Sequence, residues 1–524
     1  MSDALSKIII KNTIFTSSGL LISYLLSFLL TPYIINKIGI ERYGIWAVAN
    51  TVINFFLFLD IGIGNSFVKH IAEYNTKRDY VMVNKVITTG LAFSLLLCMG
   101  IGILFLISIK TLIGLFTFSP KLYDDVIFTF FGIFIIFIIN YVFRIFKSIL
   151  YGLQRMDITN MIFIIVTIPG TIGLILFLGH GYGLRGYVYN SALIALVTVI
   201  AYAVCAHKVL PQMNIHPRYL SLEMFRRLWD FGFKIQIAGF AEFINTQLDK
   251  ILLGYFLNVT VVSFYELGSK IALTVGNLPS ALLLAIEPAS SELMASKDMR
   301  GLNNLYLRGT KYLVFLSLPL ALFVIVNASS IMHFWMGKPG YEKSVLTIQI
   351  LTIGYTFLLV NGVGRLMARG MGIPQCEMVS ALIILSSNII LSITLIYWFG
   401  FTGALIGTCT ASILGTAFFM NTFHRYIEKK TTSLLINIYL KPFCACIIAF
   451  SVSSGIDLFL NVFDFSPHGR IDNLIYLILK GVLFSGTYIL CIFLCKYLDG
   501  YDWKIFLTTL RVPIDNSRMK KFFS

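Results

Sequence analysis

The residues able to do chemistry in this chain of 524 residues are ionisable and amide side chains set inside long apolar runs. Glu242, Asn245 and Asp249 fall at i, i+3 and i+7, and Glu266, Lys270 and Asn277 form a similar series further on. At a helical period each series lines one face. An ionised group in an apolar run is costly unless it meets a partner or a water-filled cavity, so such groups bind ions, carry charge or pair with one another. Two pairings are open: Glu266 with Lys270 one turn on, or Glu242 with Lys270 across two helices. Asp60, ahead of Gly62 and Gly64, is either a coupling-ion ligand or a helix-end carboxylate with a basic partner. A second class is cationic. Asn140, Arg144 and Lys147 share one helical face, as do Asn361, Arg365 and Arg369. Guanidinium groups match phosphate geometry through paired hydrogen bonds; the alternative is that these cations snorkel to lipid headgroups.

Other chemistry finds no foothold. There is no His-Glu-x-x-His, no Gly-rich phosphate loop and no Gly-x-Ser-x-Gly elbow, and the seven histidines lack metal-ligand spacing. Asp124–Asp125 resembles a metal–sugar ligand pair, but after Ser119–Pro120 the expectation is a helix cap. The eight cysteines form no Cys-x-x-Cys pair and read as small core residues.

The elements that must position these groups follow from composition. Hydrophobic residues make up 57%, charged residues only 13%, and mean hydropathy is +0.83. A soluble surface needs about 25% charged residues, so the chain is a polytopic all-α membrane protein. A disordered chain, a disulfide scaffold and a soluble enzyme are excluded. About fourteen stretches are long enough to span, approximately 12–36, 43–66, 86–109, 125–151, 159–179, 184–207, 228–250, 259–284, 309–330, 344–367, 375–398, 402–424, 439–460 and 473–495. The first is too long for a signal-peptide core and should remain as a span. Of 41 Lys and Arg, about thirty fall on one side and about nine on the other, with Lys270 and Lys480 inside spans. That asymmetry places both termini in the cytoplasm and accounts for the net charge of +16 without nucleic acid.

The sequence also repeats at about 220 residues. Glu73-x5-Asp79-x4-Asn84 recurs as Glu292-x5-Asp298-x4-Asn303, with Arg78 and Lys297 before the Asp. Asn140-x3-Arg144 recurs as Asn361-x3-Arg365, followed by turns containing Gly152 or Gly370 and Gly372; Gly181-Tyr-Gly183 recurs as Gly400-Phe-Thr-Gly403. Six spans per repeat keep its direction, so the expected arrangement is two parallel six-helix lobes, 1–210 and 211–430. Two further spans (431–496) and a basic cytoplasmic tail (497–524) follow.

Tyr43-Gly44-Ile45-Trp46, Asp60-Ile-Gly62-Ile-Gly64, Ile71-Ala72-Glu73, Asp249-Lys250-Ile-Leu-Leu-Gly254 and Phe264-Tyr265-Glu266-Leu-Gly268-Ser-Lys270 carry a resemblance. Together they resemble the Wzx-type bacterial polysaccharide flippases of the multidrug/oligosaccharidyl-lipid/polysaccharide exporter superfamily. The resemblance covers spans 1 to 12, and the last two match the family's fourteen helices. It implies alternating access that moves an undecaprenyl-diphosphate-linked oligosaccharide, an O-antigen or exopolysaccharide repeat unit, from the cytoplasmic to the outer leaflet of the inner membrane. On that reading Arg144, Lys147, Lys270, Arg365 and Arg369 bind substrate, and Asp60, Glu242, Asp249 and Glu266 couple transport to a proton or sodium ion. No catalytic residue, organic cofactor or structural metal is implied. The partners are the lipid-linked oligosaccharide, membrane lipids, and a polysaccharide polymerase with its chain-length machinery. A cation-coupled drug exporter of the same superfamily is the nearest alternative, disfavoured by the last two spans and by Lys270, Arg144 and Arg365. A membrane enzyme acting on lipid-linked sugars is a further alternative, against which stands the shortness of the outward loops, none above roughly fifteen residues.

Overall fold

The computed structural model describes residues 25–56, 63–277, 279–283, 285–427, 435–462, 469–500 and 502. These residues form helices and connecting turns, with no strand among them. The helices are α1 (Leu25–Ile38), α2 (Ile40–Phe55), α3 (Ile63–Thr76), α4 (Tyr80–Gly114), α5 (Tyr123–Gly152), α6 (Met156–Gly179), α7 (Gly183–Val209), α8 (Leu222–Phe256) and α9 (Val259–Asn277). They continue with α10 (Ile286–Ala295), α11 (Met299–Val326), α12 (Ala328–Met336), α13 (Glu342–Val360), α14 (Gly362–Gly370), α15 (Gln375–Phe399), α16 (Phe401–Tyr426), α17 (Lys441–Val462) and α18 (Arg470–Leu494).

Ten helical segments among the described residues are long and apolar enough to cross a bilayer. Those of the remaining expected spans that fall short do so for local reasons. α8 carries Arg226, Arg227, Asp230, Lys234, Glu242, Asp249 and Lys250, and α9 has 19 residues with Glu266 and Lys270 among them. The stretch 43–66 is not one helix, since α2 ends at Phe55 and α3 begins at Ile63. Asp60 lies between them, outside the described residues. The stretch 344–367 is among the ten, as Glu342–Gly370, although its helix breaks at Asn361 between α13 and α14. Pro169 and Pro319, in contrast, sit inside α6 and α11. Large apolar side chains are exposed along the lengths of these helices: Leu96, Ile103, Leu106 and Ile107 of α4 are 63%, 61%, 60% and 75% accessible. Such a band is stable only against lipid.

The sequence repeat has a local structural cause. Arg78 and Lys297 adopt the left-handed conformation, both at φ 56°, as do Gln154 and Gly372 (57° and 75°) and Gly181 and Gly400 (83° and 55°). Each pair is separated by the repeat of about 220 residues. At the first pair the N–H of Asp79 donates to Tyr74 O (3.0 Å) and that of Asp298 to Leu293 O (2.9 Å), closing the preceding helix. The same aspartates then cap the next helix, accepting from the N–H of Met82 (3.0 Å) and of Gly301 (2.8 Å). After α5 the turn residue is Gln154, not Gly152; Gly152 is helical, and a Cβ there would meet Ile71 at 3.0 Å.

By packing, the chain divides into two compact units, Met1–Glu266 with Phe399–Ala404, and Leu267–Trp398 with Leu405–Ser524. In the first, α5 packs against α2, α3, α4 and α7, and α6 lies on α7. Phe105 and Phe134 stack at 4.1 Å in its core. α8, which the sequence spacing groups with the second repeat, packs against α2, α3 and α4 here. The connection from α7 to α8 is fastened to α4: Asn84 donates to Gln212 O (3.1 Å) and accepts from the Asn214 N–H (2.9 Å). In the second unit α11 is central, packing on α10, α13 and α17, while α17 pairs with α18. Cys98 and Cys446 are buried as expected, whereas Cys444 on α17 and Cys495 in the turn after α18 are exposed, contrary to the reading of all eight as core.

Candidate functional site

The embedded charges of the first unit gather where α8 and α9 run side by side. Asp249 is fully buried and accepts a hydrogen bond from the Tyr265 hydroxyl (2.6 Å). One residue further, Lys250 pairs with Glu266 at 2.6 Å, their side chains only 14% and 19% exposed. These groups lie seven or so residues from the α8–α9 turn, about 10 Å along a helix rising 1.5 Å per residue. Glu266 thus has a partner in Lys250, which neither of the two pairings considered with Lys270 included. α8 runs on to Phe256, which sets Lys250 within the helix beside α9. Nearby, the Thr51 hydroxyl donates to Gln247 (3.3 Å) and the Ser263 hydroxyl to Ile40 O (2.6 Å). Gly44 makes this packing possible: a Cβ there would stand 2.0 Å from Val259 O and 2.6 Å from Ser263 Oγ. Glu242 lies on α8; its side chain and that of Asn245 lie outside the described residues.

The cations of α5 differ from each other in setting. The Arg144 guanidinium lies 4.3 Å from the Tyr141 ring centre and 5.9 Å from that of Phe67. Gly64 leaves room for it, since a Cβ there would meet Nη1 at 3.2 Å. Two aromatic faces thus hold the guanidinium in place. Lys147 is exposed and lies over Tyr151 (5.6 Å) and Tyr202 (6.0 Å).

In the second unit Lys270 is half-buried on α9. Arg365 donates to Leu358 O (2.8 Å), bridging the break at Asn361, and the buried Asn361 amide donates to Thr416 O (3.1 Å). Asn140, by contrast, is exposed and donates to Ile136 O (3.0 Å) within the unbroken α5. The two Asn-x3-Arg segments therefore share a pattern but not a local structure. Arg369 forms a bidentate pair with Glu377 (2.6 and 2.7 Å), so its fork is occupied by the chain's own carboxylate.

Three charge clusters escaped the sequence reading. Asp125 receives Arg42 (2.9 Å) and Arg185 (3.3 Å), which replaces the expected capping role with an ion-pair hub. Lys480, 4% exposed, pairs with Asp457 (2.7 Å), and the Tyr476 hydroxyl donates to the same carboxylate (2.5 Å). Arg308 and Lys311 of α11 engage Asp499 and Asp502 beyond α18. The sequence held a signal for Lys480, a charge inside an apolar run, and for the Asp124–Asp125 pair, but not for their partners.

A multi-span helical membrane protein whose apolar helices carry paired and aromatic-held charges has the construction of a transport protein. Its fold is similar to that of a solved structure of the lipid II flippase MurJ in an inward closed conformation, with a TM-score of 0.67 and 17% identity over 92% of this chain and 99% of that one. Residues 9–294 match the polysaccharide biosynthesis protein family, and residues 235–394 match the MatE family. The chain belongs to the polysaccharide biosynthesis protein family, within the multidrug/oligosaccharidyl-lipid/polysaccharide exporter superfamily. A putative O-antigen transporter of Shigella flexneri is 22% identical over 67% of this chain and 82% of its own length. An uncharacterized membrane protein of Methanocaldococcus jannaschii is 26% identical over 60% of this chain, and the match spans 59% of that protein.

Proposed function

We propose that the protein is a flippase that moves an undecaprenyl-diphosphate-linked oligosaccharide, an O-antigen or exopolysaccharide repeat unit, from the cytoplasmic to the outer leaflet of the plasma membrane. The observation that carries this reading is the match of residues 9–294 to the polysaccharide biosynthesis family; the names of the O-antigen transporter relative and of the lipid II flippase support it. On this reading fourteen spans form two lobes that give alternating access, with both termini in the cytoplasm. A bare diphosphate would meet a prohibitive barrier in hydrocarbon, and fixed cations lower it by replacing hydration. Arg144 and Arg365 capture the diphosphate at the cytoplasmic mouth, with Lys147 and Arg369 beside them, and Lys270 serves a deeper position. Asp60, Glu242, Asp249 and Glu266 supply coupling to a proton or sodium ion.

The test is surface display of finished polysaccharide in cells lacking their own flippase, with expression matched. Arg144→Ala, Arg365→Ala and Lys270→Ala should each reduce display while membrane insertion is unchanged; parental display by all three would reduce those residues to anchors. The match of residues 235–394 to the MatE family favours a second reading, a cation-coupled drug exporter. Efflux of a cationic dye without any polysaccharide display would select it.

A further inference from the structure

The residues that follow α18, 495–500 and 502, are fastened back onto the second unit. Lys496 takes the left-handed conformation (φ 46°), unusual for a residue with a Cβ, and turns the chain back toward α11. The Tyr497 hydroxyl, on a buried side chain, is shared between Ile438 O (2.9 Å) and Lys311 O (3.3 Å). Asp499 accepts from the two terminal nitrogens of Arg308 (3.3 and 3.4 Å) and from the Asp502 N–H (2.8 Å). Asp502, its side chain 2% exposed, accepts from Lys311 Nζ (2.5 Å), the Tyr312 hydroxyl (2.5 Å) and the Asp499 N–H (2.9 Å), and pairs with Arg308. Close by, Lys441 at the start of α17 donates to Cys495 O (3.1 Å).

Four donors converging on one shielded carboxylate make a bond that water cannot easily replace, because each donor would have to be resolvated separately. The set also joins three segments distant in sequence: the first half of α11, the turn leading into α17, and the exit from α18. We propose that Asp502 is an intramolecular latch that fastens the end of the helical pair α17–α18 to α11, so that these three helices move as one piece. This goes beyond the transport reading and does not depend on it. Burial works to raise the Asp502 pKa, but the hydrogen bonds from Lys311 and Tyr312 prevail and hold it below the usual carboxylate range. The latch is therefore charged and closed at neutral pH.

The experiment is hydrogen exchange, read by mass spectrometry, on the full-length protein in nanodiscs. The isosteric Asp502→Asn removes the charge and should speed amide exchange in Tyr497–Gly500 by at least about tenfold, with α4 to α7 unchanged. Lys311→Met should give the same local release from the other side. The exchanged pair Lys311→Asp with Asp502→Lys, which restores opposite charges at the same sites, should recover part of the protection. Parental exchange in both Asp502→Asn and Lys311→Met would overturn the latch. So would release that spreads equally through the first unit, which would mean general misfolding and not a local fastening.

Discussion

Replacing Lys250 by Met tests whether the charges between α8 and α9 form a pair or independent sites. At 2.6 Å the attraction between Lys250 and Glu266 is about 6 kcal/mol at an effective dielectric constant of about 20. Withdrawing each ion from water costs several kcal/mol, so the intact pair is close to balance and replacing both members by apolar or neutral groups should change stability by only about 1 kcal/mol. Removing one member is different, because the other charge then stays buried without this counter-charge. With side chains 14% and 19% exposed, Lys250→Met alone and Glu266→Gln alone should each cost about 3–5 kcal/mol. The double variant Lys250→Met with Glu266→Gln should recover most of that loss, giving a coupling energy of about 3 kcal/mol or more. Equilibrium unfolding in mixed micelles, followed by tryptophan fluorescence, measures all four corners of the cycle. Single variants within about 0.5 kcal/mol of the parent, or a double variant equal to the sum of the singles, would refute the reasoning.

Three further outcomes are expected. Gly44→Val should destabilise the first unit by at least about 1–3 kcal/mol, because its Cβ would stand 2.0 Å from the Val259 carbonyl oxygen, which is backbone and cannot rotate away; a parental unfolding midpoint would show that α2 and α9 do not approach this closely. In unfolding free energy, Arg369→Ala and Glu377→Ala should have the same effect as each other and as their double variant, since each removes the same bidentate pair; a double variant equal to the sum of the singles would show that the two side chains do not act as a pair. The third concerns pH. Burial, and then neighbouring Lys69, hold the His70 imidazole below its ordinary pKa. The folded state therefore binds its proton less readily than the unfolded chain, and stability should fall as pH drops below about 6.5 and level off below the depressed value. His70→Gln should flatten that part of a melting-temperature profile between pH 7.5 and 5.5, and an unchanged slope would remove His70 from the account.

The sequence by itself determined what depends on near neighbours. Hydropathy over some twenty residues marks a helix that prefers lipid, because the backbone must satisfy its own hydrogen bonds there. Asp79 and Asp298 were visible as a repeated motif because an N-cap acts over three residues, and the left-handed Arg78 and Lys297 before them belong to the same local turn. Arg144, Lys270 and Arg365 stood out because a charge in an apolar run is anomalous wherever the run packs. What each charge meets was a different matter, since it depends on how helices far apart in sequence align. Lys250 finds Glu266 because α8 extends to Phe256 and α9 returns alongside it. Asp125 collects Arg42 and Arg185, which lie 83 and 60 residues away. Asp502 reaches Arg308 and Lys311 across more than 190 residues, from a stretch whose net charge suggested only a basic tail. Electrostatic attraction falls off with distance in space, and only the tertiary packing sets that distance.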